Sequence, residues 1–174
     1  EGIGWYENAF AKAPGTAKAV GELTPDYFAL PEGPERIAEA LGTDVLLCVI
    51  VRDPVERAIS EWRVKQRLAA SPMSFLEALG SDPMLVSNSS YTAHLRHYRK
   101  VFDDVRLKVF FYAQMEDNPA GFLRSFLTAI GVDPTFESQR LNERVSVSQP
   151  LARSRSLGRF TRRMGRSLEK LPMG

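Results

Sequence analysis

One segment constrains the fold more than any other. Val45-Leu46-Leu47-Cys48-Val49-Ile50-Val51 is an unbroken apolar run of seven residues. It has strand length and none of the alternation of a half-exposed strand, so it reads as a strand buried on both faces of a parallel sheet. The run stops at Arg52. Asp53 is then a good N-cap and Pro54 a good first helical residue, so a helix starts at once. Val55, Ile59 and Trp62, at i, i+4 and i+7, are its expected apolar stripe.

A parallel strand needs a crossover, and the rest of the chain alternates strand and helix patterns as an α/β domain does. Gly4 to Ala13 is predicted as a short helix carrying Trp5, Tyr6 and Phe10. Ala17 to Glu22 is a short strand candidate, closed by Thr24-Pro25-Asp26. Pro34 to Leu41 reads as a helix stopped by Gly42. Ser89 or Ser90 caps a helix running to Phe102, with Tyr91, Leu95 and Tyr98 on one face. Val105 to Tyr112 is a second strand, and Asn118-Pro119 opens a helix closed by Gly131. After a loop from Glu143 to Ser156, Leu157, Phe160, Met164, Leu168 and Leu171 mark an amphipathic helix with an arginine-rich opposite face.

At 174 residues, the chain is expected to form one domain, burying about two-thirds of its unfolded surface. No apolar run approaches the roughly 18 residues needed to span a bilayer. Cys48, the only cysteine, makes no internal disulfide, and a reducing cytoplasm is the expected compartment; an anchor ahead of Glu1 would make the Golgi lumen the alternative. Net charge is +2, but Gln149 to Gly174 carries +6 and the remainder −4. That asymmetry fits a polyanionic contact or a basic face folded onto an acidic body. No aromatic stacking platform accompanies these arginines, so nucleic acid is not expected as a partner.

The chemistry concentrates in Val51-Arg52-Asp53-Pro54-Val55-Glu56-Arg57-Ala58-Ile59-Ser60. A buried strand delivers an arginine to the carboxyl edge of a sheet, where ligands of open α/β sheets bind. A helix N-terminus follows, with N–H groups and partial positive charge suited to a phosphate. Arg52 adds a charge-assisted contact and Ser60 a hydroxyl. On spacing alone, a surface arginine and an ordinary serine fit equally well. Glu22, before a turn, reads either as a solvated carboxylate or as a base facing a partly dry cleft. His94 and His97 lie three apart with no cysteine or carboxylate cluster, and no metal is expected.

The same segment resembles the 3′-phosphate motif of the PAPS-dependent sulfotransferases, in the heparan sulfate glucosaminyl 3-O- and N-sulfotransferase branch and its bacterial relatives. The resemblance places 3′-phosphate contacts on Arg52 and Ser60. Gly21-Glu22-Leu23-Thr24-Pro25-Asp26-Tyr27-Phe28 is similar to the segment whose glutamate is that family's catalytic base, which falls on Glu22. Trp5-Tyr6 precedes it as the family's Trp-Tyr pair does, and Tyr91-Thr92-Ala93-His94-Leu95 resembles the Tyr-x-x-His-Leu helix, adding Tyr91 as a nucleotide contact. Val109 to Gly131 matches the strand, acidic turn, Asn-Pro and closing helix. The resemblance implies a P-loop-like sulfotransferase fold, a parallel sheet flanked by helices. It implies transfer of a sulfuryl group from PAPS to a hydroxyl of a carbohydrate or small metabolite, without metal.

Three departures qualify it. The family's opening strand and lysine-bearing phosphosulfate loop have no counterpart here, so the fold is expected to be incomplete at the N-terminus. An apolar sheet edge beside Val45 to Val51 would then lie open, and the chain as written would be inactive. Leu23 stands where a lysine often follows the catalytic glutamate. The late cysteine pair and Lys-Gly loop of the eukaryotic enzymes are missing; Arg153 and Arg155 are the candidates to close over the nucleotide phosphates, a solvated basic face being the other reading. A non-catalytic nucleotide-binding module of the same fold, or an anion-surface binder working through the basic C-terminal segment, are the competing functions.

Overall fold

The computed structural model describes residues 3–68, 71–141 and 143. Its elements in chain order are α1 (Ile3–Phe10), a 3₁₀ helix (Pro25–Ala29), α2 (Gly33–Leu41), β1 (Leu47–Val51) and α3 (Pro54–Leu68). There follow α4 (Phe75–Ser81), α5 (Met84–Ser87), α6 (Tyr91–Tyr98), a 3₁₀ turn (Asp104–Arg106), β2 (Leu107–Phe111), α7 (Tyr112–Asp117) and α8 (Pro119–Ala129). The predicted C-terminal helix at about 157–171 lies outside the described residues.

The two strands pair in parallel, from Leu47 opposite Leu107 to Val51 opposite Phe111, with α3 to α6 in the crossover between them. Paired residues of an in-register ladder share a face. Leu47, Val49 and Leu107 therefore meet Tyr98 and Phe102 of the α6 region, with Phe28, Ile37 and Ala38 around them. On the opposite face Phe110 meets Phe122 and Phe126 of α8, at ring separations of 5.8 and 5.5 Å. Helices thus lie on both faces of the sheet. Even so, β1 is not buried on both faces as its apolar run predicts: Ile50 is 44% exposed and only Val51 is buried, because among the described residues β1 has a partner strand on one edge alone.

Local signals set most boundaries. The Asp53 carboxylate accepts from the Val55 and Glu56 N–H groups, both at 2.9 Å, and Asn118 accepts from Gly121 N–H to start α8. Gly42 and Gly131 follow α2 and α8 at φ 77° and 72°, positive values that glycine, without a Cβ, adopts at little cost. Ser74 and Glu77 form a reciprocal capping box on α4.

Three further expectations fail. Ala17 to Glu22 is not a strand. Its side chains are all exposed, so it has neither a face to bury nor, among the described residues, a ladder for its backbone groups. The α6 helix stops at Tyr98 rather than Phe102, where Phe102 N–H closes a final turn on the Tyr98 carbonyl. The stripe of α3 holds at Ile59 and Trp62, both half-buried, but not at Val55, which is 61% exposed while Ala58 and Gln66 are buried. Gln66 is accommodated because its carbonyl oxygen accepts from Met73 N–H at 2.7 Å, and Trp62 between them donates to the Met73 carbonyl at 3.2 Å.

Candidate functional site

The register of the sheet builds the site. Arg52 and Tyr112 are the residues immediately beyond the paired ends Val51 and Phe111, so they emerge side by side at the carboxyl edge. The Arg52 guanidinium lies over the Tyr112 ring, 5.0 Å from its centre, an arrangement the ring's electron-rich face favours. Its Nε also donates to Glu56 Oε2 at 3.0 Å. Glu56 and Ser60 are one helical step of four residues apart on α3, hence neighbours on one face. Arg52, Glu56 and Ser60 therefore run as a line from the strand tip up the helix. Ser60 is half-buried.

Asp53 changes the expected chemistry of the helix start. Its carboxylate already takes two of the N–H groups that would otherwise face an anion, and it brings negative charge to the positive end of the dipole. An anion at this edge would be held by side chains rather than by the bare helix terminus. Glu56, bonded to Arg52, is a second negative charge in the way. The sequence pattern identified the cap but not its consequence for a ligand.

Arg57, one turn into α3, is a contact that sequence reasoning missed. Its Nε donates to Ser89 Oγ, one terminal nitrogen to Glu61 and the other to the Leu85 carbonyl. Ser89 in turn donates to the Pro54 carbonyl at 3.1 Å. Lys65 extends the cluster with bonds to Glu61 at 2.6 Å and Asp82 at 2.7 Å. Burial raises the Glu61 carboxyl, but the hydrogen bonds from Lys65 and Arg57 outweigh it and hold that group below the usual range. The i, i+4 spacing of Arg57, Glu61 and Lys65 was the available signal.

An open cleft of about 440 Å³ lies where α3 and α6 begin, lined by Pro54, Ser89, Ser90, Tyr91, Thr92, Ala93 and Arg96. It brings Tyr91 to the same place as the start of α3. Tyr91 also stacks loosely on Phe28, 6.3 Å away, and Phe28 meets His94 and Tyr98 at 5.3 and 5.6 Å. The Phe28 contacts dock the 3₁₀ helix, and with it the end of the Glu22 segment, onto α6. Tyr98 completes the anchor by donating to the Tyr27 carbonyl at 2.9 Å; burial, then the charge of Glu35, pushes its phenol up to about 12.

Glu22 itself is exposed, so the partly dry surroundings expected of a base are not present among the described residues. No hydrogen bond or ion pair described there joins it to Arg52 or Ser60. Its traceable neighbour is Tyr6, whose phenol is raised by burial and then by the charges of Glu22 and Tyr27. The Trp5-Tyr6 helix is therefore near Glu22. Arg153 and Arg155 lie outside the described residues. His94 bonds the Ser87 carbonyl at 2.9 Å and His97 bonds Glu35 at 2.8 Å, so both are tied into the fold. Among the described residues no group of three histidines, cysteines and carboxylates is arranged for a metal, and no helix is long and apolar enough to cross a membrane.

No family model matches the chain. It is similar to human heparan sulfate glucosamine 3-O-sulfotransferase 3B1, 31% identical over 134 residues, covering 71% of this chain and 33% of that protein. It is also similar to human heparan sulfate glucosamine 3-O-sulfotransferase 6, 32% identical over 111 residues, covering 58% of this chain and 31% of that one. The chain thus spans about a third of the length of these curated relatives. Among solved structures, a sulfotransferase from Alicyclobacillus acidocaldarius superposes with a TM-score of 0.72 at 23% identity, covering 82% of this chain and 61% of that one.

Proposed function

The chain is a relative of the sulfotransferases and shares their α/β fold, and on that premise we propose that it takes part in sulfuryl transfer from PAPS to an acceptor hydroxyl. The observation that supports this reading most is the β1–α3 junction, where a parallel strand carries Arg52 to the sheet edge in line with Ser60. PAPS, when bound, supplies the sulfuryl group and leaves as PAP.

Arg52 turns from Glu56 to the 3′-phosphate, where a planar guanidinium offers two parallel bonds, and Ser60 donates its hydroxyl to the same group. Tyr91 contributes a wall at the start of α6. Arg153 and Arg155 are assigned to the remaining phosphates on the sequence pattern alone. Glu22 takes the proton of the acceptor hydroxyl as that oxygen bonds to sulfur. Such in-line transfers ask the protein mainly for positioning and charge stabilisation. The names of the relatives point to a carbohydrate acceptor. Leu23, 90% exposed beside Glu22, presents an apolar rather than cationic surface there, which favours a less charged acceptor.

Calorimetry with PAP tests the nucleotide half. Arg52→Ala is expected to lose about 1.5–3 kcal/mol of binding, as for hydrogen bonds to a charged group; equal affinity in the two proteins would remove Arg52 from the site. In a chain carrying a lysine-bearing phosphosulfate loop ahead of Glu1, Glu22→Gln is expected to keep PAP affinity while transfer falls by about a hundredfold or more. Near-normal turnover in that variant excludes it as the base.

A further inference from the structure

We propose that Arg57 is a positioning residue, which fixes the start of α3 against the start of α6 and so holds Arg52 and Ser60 in place for an anion. This rests on the nucleotide reading given above. Arg57 is not itself an anion receptor: its side chain is only 21% exposed, and Glu61 neutralises it. Each of its nitrogens is committed to the fold, to Ser89, Glu61 and the Leu85 carbonyl.

The contacts close a ring. Arg57 on α3 holds Ser89, and Ser89 returns its hydroxyl proton to the carbonyl of Pro54, the first residue of α3. Pro54 and Ser89 are also two walls of the cleft that Tyr91 enters. Pro54 is only two residues beyond Arg52. Movement of Ser89 away from α3 would therefore widen the cleft and release the turn that aims Arg52. A lysine at position 57 keeps the charge but offers one compact ammonium, which cannot reach three acceptors lying in different directions. Arg57→Lys thus separates the clamp from the charge.

The experiment measures PAP affinity and amide hydrogen exchange in wild type, Arg57→Lys, Ser89→Ala and the double variant. PAP affinity is expected to fall about tenfold in Arg57→Lys and about threefold in Ser89→Ala, as hydrogen bonds of ordinary and charge-assisted strength are lost. The double variant should be no worse than Arg57→Lys, because both changes remove one shared contact. Exchange should quicken at Ser89, Ser90 and Ala93, whose N–H groups bond the Val86, Ser87 and Ser90 carbonyls, and stay unchanged in α8. Unchanged PAP affinity in Arg57→Lys with a lowered melting temperature would reduce Arg57 to a stability contact and overturn the proposal, as would strictly additive losses. If Arg57→Lys does not fold, Ser89→Ala decides alone by its affinity. A wild-type chain that does not bind PAP sinks the nucleotide reading instead, and the exchange pattern still judges the clamp: no change at Ser89, Ser90 and Ala93 overturns it.

Discussion

The two halves of the proposed site are built differently. The junction after β1 is over-determined: a strand ladder, an aspartate cap, the Arg52–Glu56 pair and the Arg57 cluster all converge on one helical turn. The segment 17–24 before the 3₁₀ helix lies almost wholly exposed, and among the described residues the turn after it is tied to α6 through the Phe28 ring and a hydrogen bond from Tyr98. The difference suits a division of labour. A group that binds a fixed phosphate gains from rigidity, since ordering it costs nothing at the moment of binding. A base that must meet an acceptor hydroxyl can sit on a segment that settles only when the acceptor arrives.

The sharpest way to break this contrast is to detach the Glu22 side. Gly33 is where the turn meets α2, and a Cβ there would stand 2.5 Å from the Tyr27 carbonyl oxygen and 3.1 Å from the Tyr98 hydroxyl. Backbone cannot yield as a flexible side chain can. Gly33→Ala is therefore expected to cost about 1–3 kcal/mol despite the lower entropy of its unfolded chain. Urea unfolding measures it. The same variant should leave PAP affinity nearly unchanged, because the junction after β1 does not depend on this contact; a matching loss of affinity would mean the two regions are one unit.

The legibility of the two regions follows from the same physics. The junction was readable because each of its determinants is local: an apolar run, an aspartate before a proline, and arginine and serine at fixed steps along a helix. The Ala17–Glu22 strand was misread because strand propensity says nothing about whether a partner strand lies alongside. Val55 was misread because a stripe was traced through apolar residues, whereas Gln66 is the buried one, and its burial depends on a Met73 backbone N–H from beyond the helix. Tyr112 beneath Arg52 needed the strand register, a non-local fact. No property of a single residue foretold that Asp53 would fill the helix start with its own carboxylate, since the same residue type that starts a helix also competes for its anion.

A smaller effect separates the regions by pH. Glu61 and Asp82 are both held below the usual carboxylate range: for Glu61 the bonds from Lys65 and Arg57 overcome burial, and for Asp82 the Lys65 bond is the leading cause. Their contribution is present above the ordinary carboxylate values and is lost as pH falls through the lowered ones. Burial opposes the charge of Lys65, but hydrogen bonds from Asp82 and Glu61 win and raise it, so its share is lost only at alkaline pH. These are partly exposed pairs, worth about 0.2–1 kcal/mol each. Acidifying from neutrality to about pH 3, below the ordinary carboxylate values, should lower the urea midpoint of the wild type, and Lys65→Met should flatten that acid limb. An unchanged limb would show that the cluster does not stiffen the junction.

The smallest effect probes the junction from within. Arg52 is engaged by Glu56 at 3.0 Å, and a phosphate must displace that carboxylate before it can use the guanidinium. Glu56→Gln keeps the side-chain size and removes both the ion pair and a negative charge beside the incoming anion. PAP affinity should therefore rise, by roughly two- to fivefold for a partly exposed pair, and the gain should shrink as salt screens the interaction. Arg52→Ala made in the same background should erase the larger part of the gain, the part that comes from freeing the guanidinium, and leave only the salt-screened relief of repulsion. If affinity falls instead, Glu56 orients the guanidinium for the phosphate rather than competing with it, and the junction is then arranged for binding before any ligand arrives.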